Sequence, residues 1–159
     1  MYITEARAKT MDATMDREIK RENYRHHMPV QLRFNDVDPF GHVNNAVMFS
    51  IYDMAKTEYF RAVLGDKMNG GTFAVVVNIN ADFIHPIYYG DKIEIASAVV
   101  QLGRKSITVA QQAVNLTSGS VVSQCRTVLV AFSAALNDSI ELPEDIRKRF
   151  IDYEDNILL

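Results

Sequence analysis

The feature that most limits the possible folds is a long, mostly apolar run from Ala46 to Leu64. Its first half, AVMFSIYDMA, is apolar on nearly every side when it is wound as a helix, and its second half is amphipathic. Gly65 follows at the position of a C-terminal cap. The run predicts a helix of about five turns. Because a helix that is apolar all round has to be buried, other elements must wrap it.

Strands on both sides of this helix are the candidates for that wrapping. Apolar and polar side chains alternate along residues 29 to 34, before the helix, and most clearly along residues 73 to 83, after it. Three further runs, 92 to 102, 106 to 116 and 121 to 132, are separated by short turns, which predicts an antiparallel meander. We therefore expect an α+β fold in which an antiparallel sheet of about five strands curls around one long helix.

The two ends of the chain are predicted to lie outside this unit. Residues 1 to 27 carry helix formers at roughly helical spacing, and are interpreted either as an amphipathic helical extension or as a partly disordered leader. Residues 28 to 134 form the predicted α+β domain. Residues 135 to 159 form a C-terminal segment with a short helix that begins at Pro143.

The composition excludes several classes of function. The chain has 159 residues and a formal net charge of −3, whereas nucleic-acid binding normally needs a basic face. The single cysteine, Cys125, lies within a predicted strand and is interpreted as a core or sheet-face residue. No run reaches the ~18 apolar residues of a membrane span, and the N-terminus lacks the apolar stretch of a signal peptide. We expect a cytoplasmic protein without a nucleic-acid or membrane partner.

The stretch DVDPFGHVNN, residues 36 to 45, crowds polar side chains against the start of the apolar helix. A helix N-terminus carries unpaired backbone N–H groups and positive potential, and such ends bind anions and oxyanions. The plainer interpretation is one helix cap and one turn residue. Asp36 is interpreted in this way, as a residue that shapes the loop. The loop nevertheless holds more polar groups than capping and turning require, which favours a functional site.

This loop, followed by an apolar helix, resembles the active-site loop of hotdog-fold acyl-CoA thioesterases of the 4-hydroxybenzoyl-CoA thioesterase-like group, over about residues 28 to 133. The resemblance implies a hotdog fold, with Asp38 as nucleophile or general base and the backbone N–H of Asn45 polarising the thioester carbonyl. The tail HVNN is also similar to acyl-ACP thioesterases, whose catalytic histidine falls on His42. Their catalytic asparagine falls on Phe40, a departure that favours the simpler site centred on aspartate.

The resemblance also implies where the substrate lies. In the loop, the neighbouring substrate contacts fall on Gly41, Val43 and Asn44. In the turn between the second and third strands of the sequence after the helix, the phosphates of coenzyme A would meet Arg104, Lys105 and Ser106. The acyl group is expected beside the buried helix, near Met48, Phe49, Tyr52 and Met54.

The predicted function is hydrolysis of an acyl-CoA or acyl-ACP to a carboxylic acid and a thiol, by a homodimer or homotetramer. A thiol with a pKa near 8.5 leaves as a thiolate without an obligatory general acid. One carboxylate and one oxyanion donor are therefore enough, and no metal or cofactor is expected apart from the coenzyme A of the substrate. The alternative is a non-catalytic module of the same fold that binds acyl thioesters or lipids.

Overall fold

The computed structural model describes residues 23–69, 72–155 and 157. Most of the predicted N-terminal helical extension lies outside these ranges. His26 and His27, which the sequence assigned to that extension, belong to the first strand instead. The described elements are β1 (His26–Val30), α1 (Asn45–Leu64), β2 (Thr72–Phe83), β3 (Ile93–Leu102), β4 (Ser106–Asn115), β5 (Val121–Ser133), β6 (Asp138–Ser139) and α2 (Glu144–Tyr153).

The strands form one curled antiparallel sheet in the order β1-β3-β4-β5-β2. The two-residue strand β6 pairs with the end of β5. Strands β3, β4 and β5 are the predicted meander, and β2 follows the predicted bounds closely. The structure therefore confirms the α+β architecture of a sheet curled around one long helix.

Helix α1 packs one side of itself against the inner face of this sheet. It begins after the cap Asn44 and ends at Leu64, before Gly65, as the sequence predicts. Burial of each large apolar side chain contributes about 1.5–3 kcal/mol to this packing. The helix side chains that are buried are Met48, Ile51, Tyr52, Ala55, Lys56, Tyr59, Phe60, Val63 and Leu64.

The other side of α1 is open, so the prediction that its first half is wrapped on nearly every side is wrong for a single chain. Ser50, Asp53 and Met54 are exposed there, and Met54 keeps 50% of its surface. The physical reason is that one sheet covers only one side of a helix. A second layer has to come from elsewhere if the open side is to be covered.

The strand predicted over residues 29 to 34 is wrong in its bounds, because β1 ends at Val30. Phe34 begins a single turn of 3-10 helix and is 78% exposed. The Asp36 carboxylate accepts a hydrogen bond from the backbone N–H of Arg33 at 2.7 Å, which closes that turn. The alternation in the sequence thus continues past the point where β1, whose one partner among the described strands is β3, has left the sheet.

Candidate active site

The loop between β1 and α1 is held in shape by its own backbone. The N–H of Asp38 donates to the carbonyl of His42 at 2.8 Å, and the N–H of Gly41 donates to the carbonyl of Asp38 at 3.0 Å. Gly41 has a φ of +80°, and a Cβ there meets nothing within 4 Å, so glycine is required by backbone conformation rather than by space. The N–H of Val43 donates to Ile87 at 2.8 Å and ties the loop to the segment after β2.

The carboxylate of Asp38 is oriented through one of its two oxygens. Oδ1 accepts hydrogen bonds from the N–H of Phe40 at 2.8 Å and of His42 at 3.3 Å. Within the described ranges, no group donates to Oδ2. One oxygen therefore anchors the half-buried side chain, and the other is available to a ligand or to water. Asp36 differs, because its carboxylate closes the turn at Arg33, as the loop-shaping interpretation predicts.

The first residue of α1 leaves its backbone N–H unused within the described part of the chain. Asn44 caps the helix, since its Oδ1 accepts from the N–H of Ala46 at 2.8 Å. The N–H of Asn44 itself donates to the carbonyl of Asp36 at 2.9 Å. The N–H of Asn45, the first helical residue, has no acceptor among the residues described. A free N–H at the positive end of a helix dipole is a ready donor to an oxyanion.

His42 stands at the side of the loop that faces the segment after β2. Its ring meets that of Tyr88 edge to face, with centroids 5.1 Å apart, and the two backbones form an isolated β-bridge. Neither ring nitrogen has a hydrogen-bond partner in the described part of the chain. The imidazole is therefore positioned by packing and keeps both nitrogens for a ligand.

A pocket of about 500 Å³ joins these groups. It brings together five residues that the sequence predicts for the site, namely Asp38, His42, Val43, Asn44 and Asn45. Gly41 shapes the loop without lining the pocket. The remaining wall consists of Phe40, Met48, Phe83, His85, Pro86, Ile87 and Ser123.

The far wall of the pocket is the part that sequence reasoning missed. Phe83, at the end of β2, lies directly opposite Ser123 of β5 in the antiparallel ladder, and His85 and Pro86 follow in the loop after β2. The available signal was the end of the β2 alternation at Phe83, followed by a proline that breaks the strand. That signal marks where the strand ends, but it does not say that the strand ends beside the loop before α1.

The side chains predicted to line an acyl pocket separate in the structure. Met48 lines the pocket and is 1% exposed. Phe49 packs edge to face on Phe83, with centroids 6.0 Å apart. Tyr52 lies behind the wall and hydrogen-bonds to Ser123, while Met54 is on the open side of α1.

The turn between β3 and β4 is not brought to the pocket of the same chain. Arg104 pairs with Glu141 at 2.7 Å, and the Nζ of Lys105 donates to Ser139. Ser106 lies opposite Val130 on β5. Val130 is seven positions beyond Ser123 of the pocket wall, which is about 23 Å along a strand. Contacts of these three residues with coenzyme A stay a prediction.

Residues 23–69, 72–155 and 157 contain no group of three or more His, Cys, Asp or Glu side chains placed to hold a metal ion. In the same ranges, no helix combines the length and the apolar character needed to cross a membrane.

An antiparallel sheet curled around one long helix is the hotdog fold. Residues 32–150 match the family model described as the thioesterase-like superfamily. The chain belongs to this superfamily. The prediction of a hotdog-fold relative of the thioesterases is thereby confirmed.

Three individual proteins illustrate what the chain is similar to. A thioesterase from Thermus thermophilus, crystallised with coenzyme A and zinc, is 32% identical, with a TM-score of 0.72 over 81% of this chain and 93% of that one. The protein PA5185 of Pseudomonas aeruginosa shares the fold at 24% identity, with a TM-score of 0.75 over 86% and 96% of the two chains. The uncharacterized protein YsmA of Bacillus subtilis is 26% identical over 87 residues, which are 55% of this chain and only 59% of YsmA.

Proposed function

We propose that this chain hydrolyses acyl-CoA thioesters to a free carboxylic acid and coenzyme A, with Asp38 as the reacting carboxylate. The observation that carries the proposal is that two unused groups, Oδ2 of Asp38 and the N–H of Asn45, belong to residues of one pocket. Membership of the thioesterase-like superfamily supports thioester hydrolysis as the class of reaction. The relative that was crystallised with coenzyme A supports a coenzyme A thioester as the substrate.

The proposed chemistry needs only these two groups. Oδ2 of Asp38 attacks the thioester carbonyl carbon, or takes a proton from a water molecule that attacks it. The carbonyl oxygen becomes negatively charged and accepts a hydrogen bond from the N–H of Asn45. The C–S bond then breaks, and coenzyme A leaves as a thiolate, which needs no general acid. On the nucleophilic route, water hydrolyses the resulting acyl–Asp38 anhydride and restores the carboxylate.

The rest of the loop positions these two groups. Gly41 gives the turn that directs the N–H groups of Phe40 and His42 onto Oδ1 of Asp38. Asn44 caps Ala46 rather than Asn45, and so leaves the reacting N–H free. We propose that Val43 packs against the substrate and that the ring of His42 orients it, because both line the pocket.

We also propose that the protein acts as a homodimer or a larger homo-oligomer that pairs through β2. One edge of β2 has no partner strand among the described residues. Val75, Val76, Val77 and Ile79 are 45%, 45%, 58% and 40% exposed. A long, exposed, apolar sheet edge is a template for pairing with another chain, and such pairing would also bring a layer to the open side of α1. Light scattering of wild type and of Val77→Lys tests this, and the variant is expected to shift toward monomer.

The experiment that tests the activity is thiol release from short, long and aromatic acyl-CoAs and from an acyl-ACP. Release from acyl-CoAs at rates far above the buffer control is the expected result. Release from the acyl-ACP alone would mean that the substrate is an ACP thioester and not a coenzyme A thioester, while the proposed hydrolysis would still hold. Stoichiometric binding by calorimetry with no thiol release from any substrate would favour the binding module and contradict the proposed hydrolysis.

A further inference from the structure

One buried hydroxyl in the pocket wall has hydrogen-bonding capacity left over. Ser123 lines the pocket and is only 1% exposed. Its Oγ lies 2.9 Å from the backbone carbonyl of Asp82 and 2.9 Å from the hydroxyl of Tyr52. Half of the twelve residues that line the pocket, including Met48, Phe83 and Ile87, are apolar.

The direction of both hydrogen bonds follows from the chemistry of the partners. A carbonyl oxygen only accepts, so the single hydroxyl proton of Ser123 is committed to Asp82. Tyr52 must then be the donor in the second bond. Burial raises the pKa of the Tyr52 phenol, which keeps its proton in place at neutral pH.

The remaining capacity of Ser123 is that of an acceptor only. A serine hydroxyl has one proton and two lone pairs, and one lone pair receives the Tyr52 proton. The second lone pair has no donor among the described residues. It belongs to a buried wall residue, whereas Phe40 at the rim is 83% exposed. Because Ser123 lines the same pocket as Asp38 and Asn45, it is a candidate contact for the acyl group of a thioester that lies between those two residues.

We propose that Ser123 determines specificity by accepting a hydrogen bond from the acyl group. The favoured substrates carry a hydroxyl or N–H group at a position remote from the thioester. This inference rests on the proposed function and names the acyl class for the same pocket. An acyl group with no donor loses one hydrogen bond, and one that ends in a bare acceptor places an oxygen against the lone pair of Ser123.

The test uses matched substrates that differ only in this remote group. They are phenylacetyl-, 4-hydroxyphenylacetyl- and 4-methoxyphenylacetyl-CoA, with hexanoyl- and 6-hydroxyhexanoyl-CoA as the aliphatic pair. In each series, wild type is expected to prefer the hydroxylated member over the unsubstituted one by roughly threefold to tenfold in kcat/KM, the range for one neutral hydrogen bond. The methoxy compound is expected to be the poorest of its series.

Variants of Ser123 and Tyr52 distinguish the hydrogen bond that Ser123 accepts from the packing of the pocket wall. Ser123→Ala should bring the ratio of hydroxylated to unsubstituted substrate close to one. Tyr52→Phe is the matched control, because it removes the neighbouring phenol and leaves the Ser123 acceptor, and it should keep the wild-type ratio. If Ser123→Ala alone is too unstable because it leaves the Tyr52 hydroxyl unpaired, the double variant Tyr52→Phe/Ser123→Ala removes both partners and should also give a ratio close to one.

A binding measurement distinguishes failure of this inference from failure of the proposed hydrolysis. Calorimetry with the Asp38→Asn protein gives a Kd for each probe without turnover. Tighter binding of the hydroxylated probes that disappears with Ser123→Ala supports the inference, even if no thiol is released. Equal Kd values for all members of a series overturn the inference alone. No binding of any probe overturns it together with the proposed function.

Discussion

The two ends of helix α1 use their polar groups in opposite ways. At its C-terminal end, Arg149 donates to the carbonyl of Leu64 at 2.8 Å. In the turn between β3 and β4, Arg104 pairs with Glu141 and Lys105 donates to Ser139. At its N-terminal end, an oxygen of Asp38 and the N–H of Asn45 have no partner among the residues described. We therefore assign the proposed site to the N-terminal end of α1, where hydrogen-bonding capacity is left unused on residues that line a pocket, and not to the charged turn.

Replacement of Asp38 should give the largest effect. Asp38→Asn keeps an oxygen that can accept from Phe40 and His42, so the loop should fold as before. It removes the charge needed for attack or proton transfer, and we expect kcat to fall by roughly a thousandfold. Steady-state thiol release and a thermal unfolding scan measure the two properties. Asp36→Asn is the control, and its kcat should stay within a few fold of wild type because Asp36 only closes a turn.

A pair of glycine variants tests whether loop shape matters beyond stability. Gly41 and Gly119 have φ angles of +80° and +73°, and an added Cβ meets nothing within 4 Å at either. Each change to alanine should therefore lower the free energy of unfolding by a similar amount, about 1 kcal/mol. Only Gly41→Ala displaces Asp38, so only this variant should lose kcat/KM, by roughly tenfold. Equal kcat/KM in both variants, measured beside urea unfolding, would contradict the role given to the loop.

The contact between Tyr59 of α1 and Glu154 should make the free energy of unfolding depend on pH, whereas it should leave the rate of thioester hydrolysis unchanged. Burial raises the pKa of Glu154, although the Tyr59 hydroxyl donates to its carboxylate and acts in the opposite direction. The pKa of Glu154 in the folded protein is above its value of about 4.3 in the unfolded chain. The contribution of Glu154 to the free energy of unfolding is therefore fully present below pH ~4.3. It is lost as pH rises through the raised pKa.

Glu154→Gln, which does not titrate, is the variant that isolates this effect. Between pH 4 and pH 7, wild type should lose unfolding free energy relative to the variant, as measured by urea denaturation. The kcat of the two proteins at pH 7 should agree within twofold. The opposite slope would mean that the carboxylate is stabilised as an anion in the fold.

The smallest effect is expected at the turn between β3 and β4. The Arg104 pair with Glu141 is exposed on both sides, and such pairs contribute about 0–1 kcal/mol. In Arg104→Ala/Lys105→Ala, loss of the predicted contacts with the phosphates of coenzyme A should raise the KM for an acyl-CoA by only about twofold to fivefold, because exposed charges contribute little. A KM equal to that of wild type would contradict the predicted contacts.

The sequence predicts those features that depend on short-range patterns. Helix α1, its Gly65 end and strands β2 to β5 follow from periodicity and turn residues, and the Asp38 loop stands out because its polar residues precede an apolar run. The opposite wall of the pocket depends on strand register, which pairs Phe83 with Ser123. No local pattern contains that pairing. For the same reason, the sequence does not show that Arg104 is neutralised by Glu141, which lies far along the chain.

The most direct test of the central claim is a single-turnover measurement of thiol release, with enzyme in excess over an acyl-CoA that wild type hydrolyses. Excess enzyme isolates the chemical step from product release. Wild type and Asp38→Asn are compared after calorimetry has shown that both bind the substrate. We expect the variant to bind with a similar Kd and to release thiol at least a hundredfold more slowly. Equal single-turnover rates would contradict this expectation, because the carboxylate of Asp38 would then take no part in breaking the thioester.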